Sequence, residues 1–182
     1  MPITPYTLNR EVNVDIVRGR YYSNYYWDGA TTVSTSLNFF RGLRFAPHRD
    51  MVIESIFWRR TNTTAGDVIA AIYDGDFNLV AESAIDSDTT VGAHVSTIPE
   101  VTLIAGQSYY VGLYSQSGVG VARTGSPMAG FPEYQVPIIA SSGTEASTGI
   151  QSDEGAIAAM PASLTAPQHT DLTYWTGVKH VS

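Results

Sequence analysis

The sequence predicts an all-β fold: an antiparallel β-sandwich, jelly-roll-like, with an extended N-terminal arm and a long irregular C-terminal excursion. Three observations predict it. Short runs of β-branched and aromatic residues recur, at Met51 to Arg60, Val68 to Tyr73, Leu79 to Ser83, Val101 to Ile104 and Ser108 to Tyr114. Gly, Asp and Asn turns separate them, among them Asp74-Gly-Asp-Phe-Asn78 and Ala105-Gly-Gln107. No stretch has the length and period of the helices that an α/β fold needs, and no long internal repeat is present.

The divisions are an arm over 1–20, a sandwich core over 21–123, and an excursion over 124–182 that returns as a final strand of the same domain. In the arm, Val12, Val14 and Ile16 alternate with polar residues. That suits one strand at a sheet edge; chain ends fray unless something pins them, so a frayed terminus competes with an arm that pairs with a neighbouring molecule, and the arm is expected. Tyr21, Tyr22, Tyr25, Tyr26 and Trp27 follow, beside Asn24 and Asp28. Flat rings next to hydrogen-bonding side chains suit a sugar-stacking platform, but the pattern is better matched by a strand whose alternate Tyr fill the core, with the remainder forming a subunit contact. Residues 30–36 read as a polar connector and Leu37 to Phe45 as a strand, with Gly42 marking a bulge.

Both parities of Met51 to Arg60 are partly apolar, and so are both parities of Val68 to Tyr73. Each therefore reads as a strand that is central or covered on both sides. In Ser108 to Tyr114, Tyr109, Val111 and Leu113 read as core, and Tyr110 and Tyr114 as an aromatic surface. Val119 to Arg123 reads as a short strand. Residues 124–163 are rich in Gly, Ala, Ser and Pro, too poor in large apolar residues for a core, and read as a surface excursion that covers a neighbour. Glu154 to Met160 suggests one helical turn. Leu172 to Val181 alternates and reads as the returning strand.

With 182 residues the chain forms one domain. It contains no cysteine, which excludes a disulfide framework, a thiolate metal site and a cysteine nucleophile. The net charge is −7, and nine of the ten basic residues are Arg. An acidic chain without a basic stripe is a poor partner for nucleic acid. The Arg pairs at 18/20, 41/44 and 59/60 read as ion pairs on a β-surface. The N-terminus lacks a basic region and an apolar run, so no signal peptide is expected, and no window approaches the ~18 apolar residues of a membrane span.

Little reads as chemistry. His48, His94, His169 and His180 are far apart and in no metal-binding spacing. Asp74, Asp76 and Asn78 place oxygen ligands at alternate positions, as a calcium loop begins, but the distal glutamate is missing and a hairpin turn explains the motif. Glu54, Glu82 and Glu100 are the carboxylates to weigh for hydrolysis, which needs two of them close together. There is no nucleophile elbow and no phosphate loop. No cofactor and no enzymatic activity are expected.

The run Leu43-Arg-Phe-Ala-Pro47, Ile53-Glu-Ser-Ile56, Thr64-Ala-Gly66, Ile69-Ala-Ala-Ile-Tyr-Asp-Gly75 and Leu103-Ile-Ala-Gly-Gln-Ser-Tyr-Tyr-Val-Gly-Leu113 resembles β-sandwich virion proteins of tailed bacteriophages. These are capsid decoration (cement) proteins and tail- or head-fibre modules. The resemblance covers residues 37–123 and lies in strand and turn patterns, so it carries over no catalytic residues. It implies a protein made in the host cytoplasm and resident in the virion, a homo-oligomer such as a trimer. Its partners would be the major capsid protein or other virion subunits, with surface glycans as the alternative for a fibre module.

Overall fold

The computed structural model describes residues 20–23, 31–34, 38–47, 49–124, 149–170, 173–174 and 176–181. Among these the regular elements are all strands: β1 (Arg20–Ser23), β2 (Thr31–Ser34), β3 (Phe39–Phe45), β4 (Met51–Arg60), β5 (Val68–Asp74), β6 (Leu79–Glu82), β7 (Gly92–Leu103), β8 (Tyr109–Ser115), β9 (Gly120–Thr124), β10 (Gly149–Asp153), β11 (Gln168–Thr170), β12 (Thr173–Tyr174) and β13 (Thr176–Val181). They form two antiparallel sheets. One has the order β1-β13-β4-β9-β12, with β7 also paired to β4 and β2 to β9. The other has the order β11-β10-β3-β8-β5-β6.

The principal core lies between the sheets. Met51, Ile53, Ile56, Trp58, Ile98, Leu103, Val121 and Val178 from the first sheet meet Val68, Ala70, Ile72, Tyr109, Val111 and Leu113 from the second. The mixed parity of β4 has a local cause. Its buried residues are Met51 and Ile53, then Ser55, Ile56, Trp58 and Arg60. The register against β13 slips here, because Lys179 faces Ser55 while His180 faces Ile53, leaving Glu54 as an extra residue. The register against β7 shifts at the same level, where Ile98, Pro99 and Glu100 intervene. The two adjacent irregularities invert which parity points inward, so an apparently two-faced strand presents one continuous buried face.

A second core covers the outer face of the β3-β8-β5 sheet. Ile69, Ala71 and Tyr73 of β5, Tyr110 and Tyr114 of β8, Phe40 and Ile150 pack with Met160 and Leu164. The aromatic surface expected at Tyr110 and Tyr114 is therefore buried. Its cover is the described part of the excursion, which packs on the sheet of its own chain. The Tyr114 hydroxyl donates to the Gly155 carbonyl at 2.7 Å, and the Tyr73 hydroxyl to the Pro161 carbonyl at 2.9 Å. The Met160 amide donates to Glu82 Oε2 at 2.6 Å. Leu79 N donates to Ala162 O, and Leu164 N to Phe77 O. Residues 154–160 form bends and no helical turn; their polar groups are taken up by side chains of the sheet instead.

Three further expectations change. Residues 31–34 are a strand, paired with β9, because Thr31, Thr32 and Val33 are β-branched. β7 starts at Gly92, well before the apolar Val101; over its first half two of the buried residues, His94 and Ser96, are polar and Val95 is exposed, so no apolar alternation marks it in the sequence. Gly42 marks no bulge: it faces Gly112 in unbroken register. A Cβ on Gly42 would stand 2.9 Å from the Phe40 ring, and one on Gly112 would overlap the Arg41 carbonyl oxygen. The glycine pair lets the two strands and the overlying rings approach closely.

Candidate functional site

One end of the sandwich gathers the connections β4–β5 (61–67), β6–β7 (83–91) and β8–β9 (116–119). Arg60, at the end of β4, is fully buried. Its Nε donates to Asn62 O at 3.2 Å, and its Nη2 to Thr64 O at 2.6 Å and Gly66 O at 3.3 Å. The guanidinium fork thus folds the first loop around itself, a task for which its planar set of donors is suited. Asn62 joins that loop to the next, donating to Gly118 O and accepting from Gly120 N. Gln116 accepts from Asp67 N at 3.0 Å, and Ser87 donates to Asp67 Oδ1 at 2.6 Å.

His94 on β7 anchors the 83–91 loop. Its ring stacks on Trp58 at 4.4 Å between centroids, and Trp58 Nε1 donates to Ser96 Oγ at 2.9 Å. His94 Nδ1 lies 2.9 Å from Asp86 Oδ2, and Nε2 lies 2.8 Å from Thr90 O. An imidazolium donates to both oxygens, whereas a neutral ring donates to one. Beyond it, the hydroxyl of Thr90 and then its amide hold the Asp88 carboxyl below the usual aspartate range, with His94 and Arg60 adding a smaller pull.

A Ser-His-Asp set is therefore present here, but its geometry is not that of a triad. Nε2, the nitrogen that would take a proton from a nucleophile, faces a backbone carbonyl, and the Ser96 hydroxyl accepts from Trp58. The carboxylates weighed for hydrolysis are not brought together. Glu54 forms an ion pair with Lys179 on the first sheet, Glu82 holds the Met160 amide on the second, and Glu100 is exposed on β7. Among the described residues no three His, Asp or Glu side chains are placed to hold a metal ion. Asp74 serves its own turn: Oδ1 accepts from Asp76 N and Asn78 N, and Oδ2 from Asn78 Nδ2. The positive φ of that turn falls on Phe77, at 65°, not on the Asp-Gly pair. Stacking of Phe77 on Tyr110, at 5.2 Å, holds it there.

Tyr21 and Tyr22 lie on β1, opposite Lys179 and Val178 of β13. Tyr25, Tyr26, Trp27 and the arm residues Val12, Val14 and Ile16 lie outside the described residues. His48 does too, whereas His169 and His180 lie on β11 and β13, strands of different sheets. Sequence reasoning missed Arg60 and His94. The available signal was a bulky charged residue ending an apolar strand next to Thr-Asn-Thr-Thr, a loop dense in carbonyls. Among the described residues no helix is long and apolar enough to cross a membrane. Neither the protein-family models nor the curated proteins contain a match to this chain.

Proposed function

We propose that this protein is a structural component of a tailed-bacteriophage virion, a capsid decoration protein that binds the assembled shell as a homo-oligomer and bridges its subunits. The observation that carries the reading is where the polar chemistry goes. The buried charge of Arg60, the His94–Asp86 contact, and Glu82 and Glu154 all fasten loops and the cover to the sandwich. A scaffold whose ionisable groups are spent on its own rigidity suits a role in stabilising an assembly. Binding only the assembled shell would stabilise that state by mass action. The strand and turn pattern over residues 37–123 supports the same reading. Within it, the arm carrying Val12, Val14 and Ile16 would reach a neighbouring subunit.

The test is co-sedimentation of the purified chain with capsids that lack it, compared with a chain missing residues 1–19. The reading expects the full chain to pellet with the particles and raise their melting temperature, and the truncated chain to bind more weakly. Equal binding by both chains would remove the arm from the mechanism, and no pelleting at all would sink the capsid reading. A second reading, a glycan-binding fibre module, draws support from Tyr21 and Tyr22 on an edge strand next to Tyr25, Tyr26 and Trp27. Loss of glycan-array or host-cell binding in Trp27→Ala would favour it.

A further inference from the structure

The ring of His94 is buried, at 8% exposure, and each of its nitrogens faces an oxygen. Nδ1 lies 2.9 Å from Asp86 Oδ2, and Nε2 lies 2.8 Å from Thr90 O. A carboxylate and a backbone carbonyl only accept, so each contact is a hydrogen bond only when the ring nitrogen donates. A neutral ring carries one N–H, and either tautomer sets a lone pair against the other oxygen. Only the imidazolium satisfies both. The ring is also held from behind. It stacks on Trp58, its cross-strand partner in β4, and Trp58 is itself bonded to Ser96. Two carboxylates, Asp86 and Asp88, and one cation, Arg60, act around this ring. Asp67 reaches the same loop through Ser87. The other charges of the neighbouring strands are engaged or turned elsewhere. Glu82 on β6 is bonded to Met160, and Arg59 and Glu100 are exposed.

The two halves of the loop it touches are fastened differently. Asp86 exchanges backbone bonds with Val68 of β5 in both directions, and Ser83 bonds to Ala70 with its amide and its hydroxyl. Residues 83–86 are thus tied to the second sheet by backbone. Residues 87–91 are all exposed. Among the described residues, Ser87 to Asp67 and the Thr90 carbonyl to His94 tie them to the body, while Asp88 and Thr90 bond to each other. We propose that His94 is a proton-operated latch: charged, it holds residues 87–91 against the sandwich, and on losing its proton it releases them while 83–86 stay in place. The direction follows from the two bonds. The one from Nδ1 to a carboxylate is charge-assisted at its acceptor and the stronger, so the ring gives up the Nε2 proton. Thr90 O is then left facing a lone pair. The latch is closed on the acid side, and its contribution is lost as pH rises through the titration of this ring in the folded protein. The inference rests on the fold alone and is independent of the virion reading.

NMR on the full chain tests it. The His94 ring signals, identified by their loss in His94→Phe, give the pH at which the ring titrates. Amide shifts of residues 88–91 should move with the same midpoint. Above it their order parameters should fall from about 0.85 to below about 0.6, while residues 68–70 and 83–86 stay rigid. His94→Phe keeps an aromatic ring on Trp58 but cannot donate. Its 87–91 segment should be mobile at every pH, with a circular dichroism spectrum like that of the unmodified chain. Should this variant fold poorly, the unmodified chain decides alone, because its ring and its loop are read in one experiment. A segment that is equally rigid on both sides of the midpoint would overturn the latch. So would a ring that never titrates while the chain is folded, mobility gained on the acid side, or a His94→Phe segment that still loosens as pH rises. Loosening shared by residues 68–70 would mean that the sheet edge unfolds, and that outcome overturns it too.

Discussion

Arg60 carries a full charge into a site with no exposure to solvent, and among the described residues it bonds to backbone carbonyls of its own loop. Replacing it with Met keeps much of its apolar bulk but leaves those carbonyls without donors. Arg60→Met is expected to cost about 2–3 kcal/mol in urea unfolding, with hydrogen exchange accelerated over 61–66. Gly112 makes the opposite point, since its role is to be absent. Gly112→Ala forces a methyl onto the Arg41 carbonyl oxygen, and the expected loss is at or above about 1–3 kcal/mol. Neither residue was legible in the sequence. Arg60 resembled one half of a surface ion pair, because the carbonyls it serves belong to every residue type and leave no signature. Gly112 resembled any strand glycine until the register placed it against Gly42.

Strand types and order were legible at the scale of the element, and phase was not. The runs at β4, β5, β8 and β13 are where alternation and turn residues place them. What alternation alone cannot encode is an inserted residue: Glu54 on β4 and the Pro99 region on β7 reverse the inward parity together. The tyrosines were misjudged for a related reason. A strand covered on its outer face by irregular chain has the same pattern as one facing solvent with aromatic residues. Burial raises the hydroxyl pKa of Tyr73, Tyr110 and Tyr114 above the ordinary 10.0, with the nearby carboxylates of Glu154 and Glu82 adding at Tyr73. The folded chain therefore holds these protons more tightly than the unfolded chain. Their contribution is complete below pH 10 and is lost as pH rises through the raised values. Urea midpoints measured upward from pH 9 should fall above pH 10, and tyrosinate absorbance should show a late-titrating class. Tyr73→Phe should remove part of both effects and cost about 1 kcal/mol at neutral pH through the lost bond to Pro161.

For the whole molecule, a sandwich was legible and a three-layer arrangement was not. Residues 154–164 supply Ile157, Met160 and Leu164, spaced too widely to register as an element, yet together they close the outer face of a sheet. Met160→Ala is expected to cost about 2–5 kcal/mol. Native-state hydrogen exchange should locate the damage: protection should fall first at Tyr73, Tyr114 and residues 155–164, while β4 and β13 keep theirs. Uniform loss across both sheets would mean that the cover and the sandwich unfold as one unit.

The bulge at Glu54 also has a consequence for reactivity. The carboxylate it displaces meets Lys179, and Lys179 is the only lysine in the chain. Acylating reagents attack a free amine, not an ammonium held against a carboxylate. Both side chains are about a third exposed, so the rate at which the one lysine accepts an acyl group measures how often this ion pair opens. Without any added label, this chain carries its own chemical clock for the contact that its bulge creates.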